Sequence, residues 1–354
     1  MLSFSINDEV LEAIDDYHRK SLEMQKFHFE GNPMKYTKED LKDAVDDDLI
    51  FHVPIYDMLD RRYAAFSSFL EALDKKESDP KGNGNHFIDA PGLSELSVYN
   101  KIALFYLFRL CGSGINYVPR SGKGPIGTHG FGNFWIVNSV LNGYTELDYW
   151  LDDLMLLEKP FTDNKGYLLP QFSFKHLSGG HLRHFIFQEI HKLVDYMFEY
   201  LVNGGRKTII GFVEHMNSYL VGKGYKKQNF VLSATAADIA EYIPELIDPK
   251  SSIYAGTNAK KCIAAMFNKN RGVKQVKFET DAIDFLADRY DSVPYSVEDS
   301  RLCDVYRYLT EFQSKHHIEL NGGNRYKNNS TIKKHCEYRL EDYGEYIREI
   351  LKIK

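Results

Sequence analysis

Apolar residues recur at intervals of three and four along most of the chain, as at Val10, Ile14 and Tyr17 and again at Tyr63, Phe66, Phe69 and Leu70. That spacing predicts amphipathic helices. A strongly apolar helix is expected in SELSVYNKIALFYLFRLCG, closing at Gly112, and FWIVNSVLNGYTELDYWLDDLMLLEK continues the pattern from Phe134. Helical signals resume from Leu182 to Val202, from Thr208 to Val221 and from Asn229 to Tyr242. Strand-like alternation is scarce, so the expected fold class is mainly α.

Two segments break the helical pattern. Asp74 to Gly92 concentrates Gly, Pro, Asn and charge, which predicts a loop or hinge after an acidic N-terminal helical region, residues 1–80. Ser113 to Asn133, with Gly112 before it, carries seven glycines and two prolines. So many glycines suit close backbone approach to a ligand or to another segment. A core over residues 93–310 and a C-terminal helical extension over 311–354 complete the expected organisation.

The composition of the 354 residues, 43% hydrophobic and 27% charged, excludes disorder as the main state. The 24 Tyr and 23 Phe serve either as core filler or as stacking platforms for bases. Cys111, Cys262, Cys303 and Cys336 are far apart and form no CxxC, which speaks against a zinc ribbon or a disulfide framework. The N-terminus lacks the basic-then-apolar order of a signal peptide, and no apolar run approaches the roughly eighteen residues of a membrane span. A cytoplasmic protein with no membrane contact is expected.

Charge sharpens this picture. The net charge of −6 argues against a wholly basic nucleic-acid binder, yet residues 1–80 carry −9 while Arg206 to Lys277 carries +7. Segregation of this kind predicts a polyanion-binding face, with a solvated helix surface as the plain alternative. Within the basic segment, VEHMNSYLVGKGYKKQNFVLSATAADIAEY reads as helix, turn, helix, with Gly222-Lys223-Gly224 at the turn. Two glycines there would bare backbone N–H groups in front of the next helix's positive end and seat a phosphate, with Lys226 and Lys227 beside it.

The run LVGKGYKKQNFVLSA resembles the hairpin of the helix-hairpin-helix DNA glycosylases, with Gly222, Gly224, Lys226, Asn229, Val231 and Leu232 on matching positions. The order of FRLCGSGINY, GKGYKKQNF, SIYAGTNAKKC and VEDSRLCDVYRY is similar to the alpha-glutamyl/putrescinyl thymine pyrophosphorylase-like branch of that superfamily. The resemblance implies a DNA partner and a helical core that grips DNA through Gly222, Lys223, Gly224, Lys226, Lys227 and Asn229. It implies a catalytic Asp at the start of the helix after the hairpin, for which IDPKSSIYAGTNAKKCIAAMF offers Asp248.

Breaking an N-glycosidic bond builds positive charge on the sugar, so a carboxylate near the anomeric carbon and a held water are required. Asp248 is the first candidate, with a turn or cap residue as its ordinary role. Asp238, in the middle of the second hairpin helix, is the next, with a structural ion pair as its default. Lys226 is a phosphate contact or, as in some related glycosylases, an amine nucleophile. The target base must leave the duplex. The glycine-rich loop is the expected pocket, with Asn116, Tyr117, Arg120, His129 and Asn133 as polar contacts.

Other chemistries are disfavoured. GKGPIG, Gly122 to Gly127, fits GxGxxG in letters but follows no strand and contains Pro125, and SGKGP lacks the GK[ST] ending of a P-loop. His176, His181, His184 and His191 come without Cys or HExxH, so no metal and no cofactor are expected. No protein partner is expected either. The resulting expectation is a glycosylase excising a bulky modified pyrimidine, such as glucosylated hydroxymethylcytosine, from phage DNA in anti-phage defence. Two alternatives stand beside it: a phage base-hypermodification transferase acting on an activated 5-hydroxymethyl pyrimidine, and a non-catalytic DNA-binding protein.

Overall fold

The computed structural model describes residues 3–12, 14, 15, 18, 74, 91–111 and 189–310. They are mostly helical and divide between two compact units, one of residues 62–254 and the other of residues 1–61 with 255–354.

The first unit contains α1 (Val98–Cys111), α2 (Ile190–Val202), α3 (Ile209–Gly222) and α4 (Asn229–Tyr242). In contact order these four run α1, α2, α3, α4 and back to α1. The apolar stripe of α2, Ile190, Leu193, Val194, Met197 and Leu201, is buried at the three- and four-residue spacing read from the sequence. Helix α4 differs. Every residue from Val231 to Ala240 is buried, because Ser233, Ala234, Thr235, Ala236 and Ala237 are small enough to let neighbours close in on all sides. Thr208 starts α3 by accepting a hydrogen bond from the Gly211 N–H at 3.0 Å.

In the second unit Phe4–Ile6 (β1) pairs antiparallel with Phe267–Lys269 (β2), Phe4 opposite Lys269 and Ile6 opposite Phe267. This small sheet is not signalled by alternation in the sequence. It forms because Phe4 packs its ring against Phe267, Phe278 and Phe285, with centroids 4.1, 6.2 and 5.8 Å away. Helix α5 (Thr257–Met266) runs directly into β2, and α6 (Gln275–Arg289) and α7 (Val297–Thr310) follow it among the described residues. Val10, Leu11 and Ile14 are buried on the helical residues that follow β1.

A polar cluster lies inside this second unit. Glu298 and Arg301, one turn apart on α7, form a buried ion pair at 2.7 Å, and Ser292 Oγ donates to the same carboxylate at 2.5 Å. Burial pushes the Glu298 carboxyl above its usual range despite the Arg301 guanidinium. Arg301 also lies 4.6 Å from the centroid of the Tyr290 ring, whose hydroxyl donates to Asp15. The Asp299 carboxylate accepts the N–H of Gly256 at 2.7 Å and so closes the start of α5.

Candidate nucleic-acid interface

The hairpin expected between residues 213 and 242 is present as α3, a turn and α4. The turn is built by helix capping. The Tyr225 N–H bonds to Leu220 O at 2.9 Å and the Gly224 N–H to Val221 O at 3.0 Å, the paired bonds of a Schellman motif. Gly224 takes φ +84°, where a Cβ would be strained, and buried Tyr225 packs down as the apolar residue that follows such a cap. Gly222 is the last residue of α3 and needs no special backbone angle.

This geometry corrects the phosphate seat expected at the turn. The N–H groups of Lys223, Gly224 and Tyr225 all turn back onto α3 carbonyls, so they do not form an outward-facing cradle. What the hairpin presents outward is side chain. Lys223, Lys226 and Lys227 are exposed, with Lys223 Nζ 5.7 Å from the centroid of the Tyr219 ring. Gln228, the N-cap of α4, makes no side-chain cap bond there. Its Oε1 instead accepts the Tyr106 hydroxyl at 2.7 Å and its N–H bonds to Asn217 Oδ1 at 2.8 Å. Asn229 Oδ1 accepts from Asn217 Nδ2 at 2.7 Å, which places Asn229 in the bonding that holds the two helices in register.

Asp238 has no exposed surface. Arg109 of α1 grips it with two bonds, Nε to Oδ2 at 2.6 Å and Nη2 to Oδ1 at 2.7 Å. That two-pronged pairing is the structural role set beside the catalytic one for this residue. Arg109 was not singled out in the sequence, although an Arg inside an apolar helix signals a buried partner.

Asp248 is different. Its side chain is 40% exposed, pairs with Arg206 at 3.2 Å and accepts the Lys250 N–H at 3.1 Å in an Asx turn. The expected helix start is absent at this position, because the next helix begins only at Thr257. The backbone of Asp248 is tied instead to the beginning of α3. Its N–H bonds to Lys207 O at 2.9 Å, and Ser251 Oγ links Asp248 O to the Ile209 N–H.

One consequence concerns distance. The hairpin turn stands at the C-terminal end of α3 and Asp248 at its N-terminal end. With 14 residues in α3 and about 1.5 Å of rise per residue, some 20 Å separate them. The structure therefore does not bring the gripping turn and Asp248 together. Asn116, Tyr117, Arg120, His129 and Asn133 lie outside the described residues, as do His176, His181 and His184. Among the described residues no group of three or more His, Cys, Asp or Glu is placed to hold a metal ion, and no helix is long and apolar enough to cross a membrane.

Between these two ends runs a feature that was not foreseen. Tyr200, His215, Tyr196 and Tyr219 stack in that order along α2 and α3, with successive centroids 4.1, 4.9 and 4.7 Å apart. Lys207 Nζ caps the Tyr200 end at 4.8 Å and Lys223 the Tyr219 end. Burial, helped by Lys207, holds the His215 imidazole below its ordinary value, so a neutral ring sits in the stack at neutral pH. The signal was in the sequence as two i, i+4 pairs, but such spacing does not say which rings meet.

No protein-family model, curated protein or solved structure matches the chain.

Proposed function

We propose that this protein is a DNA glycosylase that holds duplex DNA through the α3–α4 hairpin and excises a bulky modified pyrimidine. The observation that carries this reading is the set of three exposed lysines, Lys223, Lys226 and Lys227, at the turn leading into the N-terminus of α4. Cations at the positive end of a helix repel one another and are at odds with the helix dipole unless an anion is bound there. Asp248 is the carboxylate for the sugar, since it is exposed whereas Asp238 is closed off by Arg109. A separation of about 20 Å corresponds to roughly six nucleotide steps at 3.4 Å each, so the hairpin would grip the backbone away from the base being removed.

A second reading, a DNA-binding protein without chemistry, has its own support. Both candidate carboxylates are engaged by arginines, and neither stands at the hairpin turn. Incubation with phage DNA carrying glucosylated hydroxymethylcytosine separates the two. Mass spectrometry should detect free modified base with the wild-type chain and none with Asp248→Asn. Salt-sensitive binding without release would establish the second reading, and a heavier nucleoside would identify a base-modifying transferase instead.

A further inference from the structure

The +7 charge of Arg206 to Lys277 is divided unevenly by the fold. The part in the first unit, Arg206 to Tyr254, has six basic and five acidic side chains, whereas Ala255 to Lys277 has six basic and none acidic. Almost all of the surplus therefore belongs to the second unit, whereas the helical hairpin belongs to the first.

There most of it lies near the start of α6, while Lys261 sits over the Tyr306 ring of α7. Asn270 to Val273 form a tight turn between β2 and α6, with the Val273 N–H on Asn270 O at 3.2 Å and Gly272 at φ +84°. Arg271 sits exposed on that turn, and exposed Lys274 is the N-cap of α6, which has no acid in its first turn. Lys269, at the end of β2, reaches Gln275 Oε1 at 3.2 Å, and Lys260 of α5 reaches Glu279 at 3.4 Å. Lys277 projects from the same helix and pairs with Asp281. Among the described residues the acids paired with this group are Glu279, which is buried, and Asp281, each matched by one lysine. Among the described residues no carboxylate pairs with Lys269, Arg271 or Lys274.

An unbalanced cluster of cations at a helix N-terminus costs self-repulsion, which a bound polyanion relieves. Exposed Asn268 and Asn270 place neutral amides between the charges, and among the described residues the large apolar side chain exposed there is Val276. A surface made for lipid would carry larger apolar groups beside its lysines. We propose that Lys269, Arg271, Lys274 and Lys277 form a second DNA-backbone contact, carried by the β2–α6 turn of the second unit and independent of base sequence. This rests on the reading of the protein as DNA-binding and adds a second footprint to it.

The test uses the full chain and a fluorescein-labelled unmodified duplex, titrated by anisotropy at several KCl concentrations. R271E/K274E should lower the slope of log K against log salt by about two and weaken binding roughly fiftyfold at 0.1 M salt, while K226E/K227E lowers it separately. R271Q/K274Q, which introduces no new charge, should lose the same slope with an unchanged melting temperature. Wild-type binding with no change of slope in either 271/274 variant overturns the second contact and leaves the hairpin reading intact. Loss of binding to phosphatidylserine vesicles with DNA binding unchanged would also overturn it, by making the turn a membrane surface. If the wild-type chain does not bind duplex at all, the DNA reading itself fails.

Discussion

Two arginine–aspartate pairs in the same unit show how differently one chemistry is used. Arg109 and Asp238 meet inside the helical bundle with almost no exposure, whereas Arg206 and Asp248 meet at the surface with each side chain nearly half exposed. The inner pair was removed from water at a cost that its two-pronged geometry helps to offset, so loss of one member alone is costly. The outer pair gives little stability and leaves its carboxylate within reach of a ligand. A buried acid in a functional search is thus informative chiefly through its partner.

The largest effect should come from breaking the inner pair. Arg109→Met leaves Asp238 buried without the Arg109 guanidinium, with an expected loss of about 3–5 kcal/mol in urea unfolding. Arg109→Met combined with Asp238→Leu should recover much of that loss. Recovery would show that the pair serves the fold, and continued base release by that double variant would remove Asp238 from the chemistry.

The two glycines of the hairpin should part company next. Gly224→Ala places a Cβ at φ +84° and should cost about 1–2 kcal/mol. Gly222→Ala falls in the last turn of α3 with nothing within 4 Å of the new methyl group, so it should be neutral or stabilising by up to about 1 kcal/mol. Equal losses at the two positions would contradict the capping geometry.

His18, in the second unit, stands between the buried and exposed cases. Burial, with Arg301 nearby, lowers its pKa to about 4 from an ordinary 6.5, and its ring lies against Tyr290. The folded state therefore binds fewer protons than the unfolded chain between those values. Stability contributed by the neutral ring is complete above pH 6.5 and is lost as the pH falls toward 4. Thermal melts across that range should show the loss in wild type and a flatter profile for His18→Gln.

Smallest of all should be the stability change of Asp248→Asn, below about 1 kcal/mol because the pair is exposed. A larger loss would mean that the Asx turn and the tie to Lys207 depend on the charge.

Helices α1 to α4 were legible because their apolar spacing survives into the structure, whereas α6 and α7 were not singled out. Thr208 capping α3 and the bounds of α4 match the residues expected, and the glycine turn between them follows from GKG. The grip expected of that turn was not legible, since GKG does not reveal whether its N–H groups point outward or close the helix behind them. Asp248 read as the start of a helix because Pro249 and lysines follow it, yet its backbone is taken up by Lys207, some forty residues earlier. The strand pairing of Phe4 with Lys269 was hidden for the same reason, as three residues show no period.

By itself the sequence determined that α1 to α4 are helical, where a glycine must interrupt them and how unevenly charge is spread, all properties of near neighbours along the chain. Tertiary structure alone decided which aspartate is sealed by an arginine, which rings stack and which unit receives the basic surplus. Those outcomes depend on contacts between residues distant in sequence, whose cost in chain entropy is met only when the whole core closes.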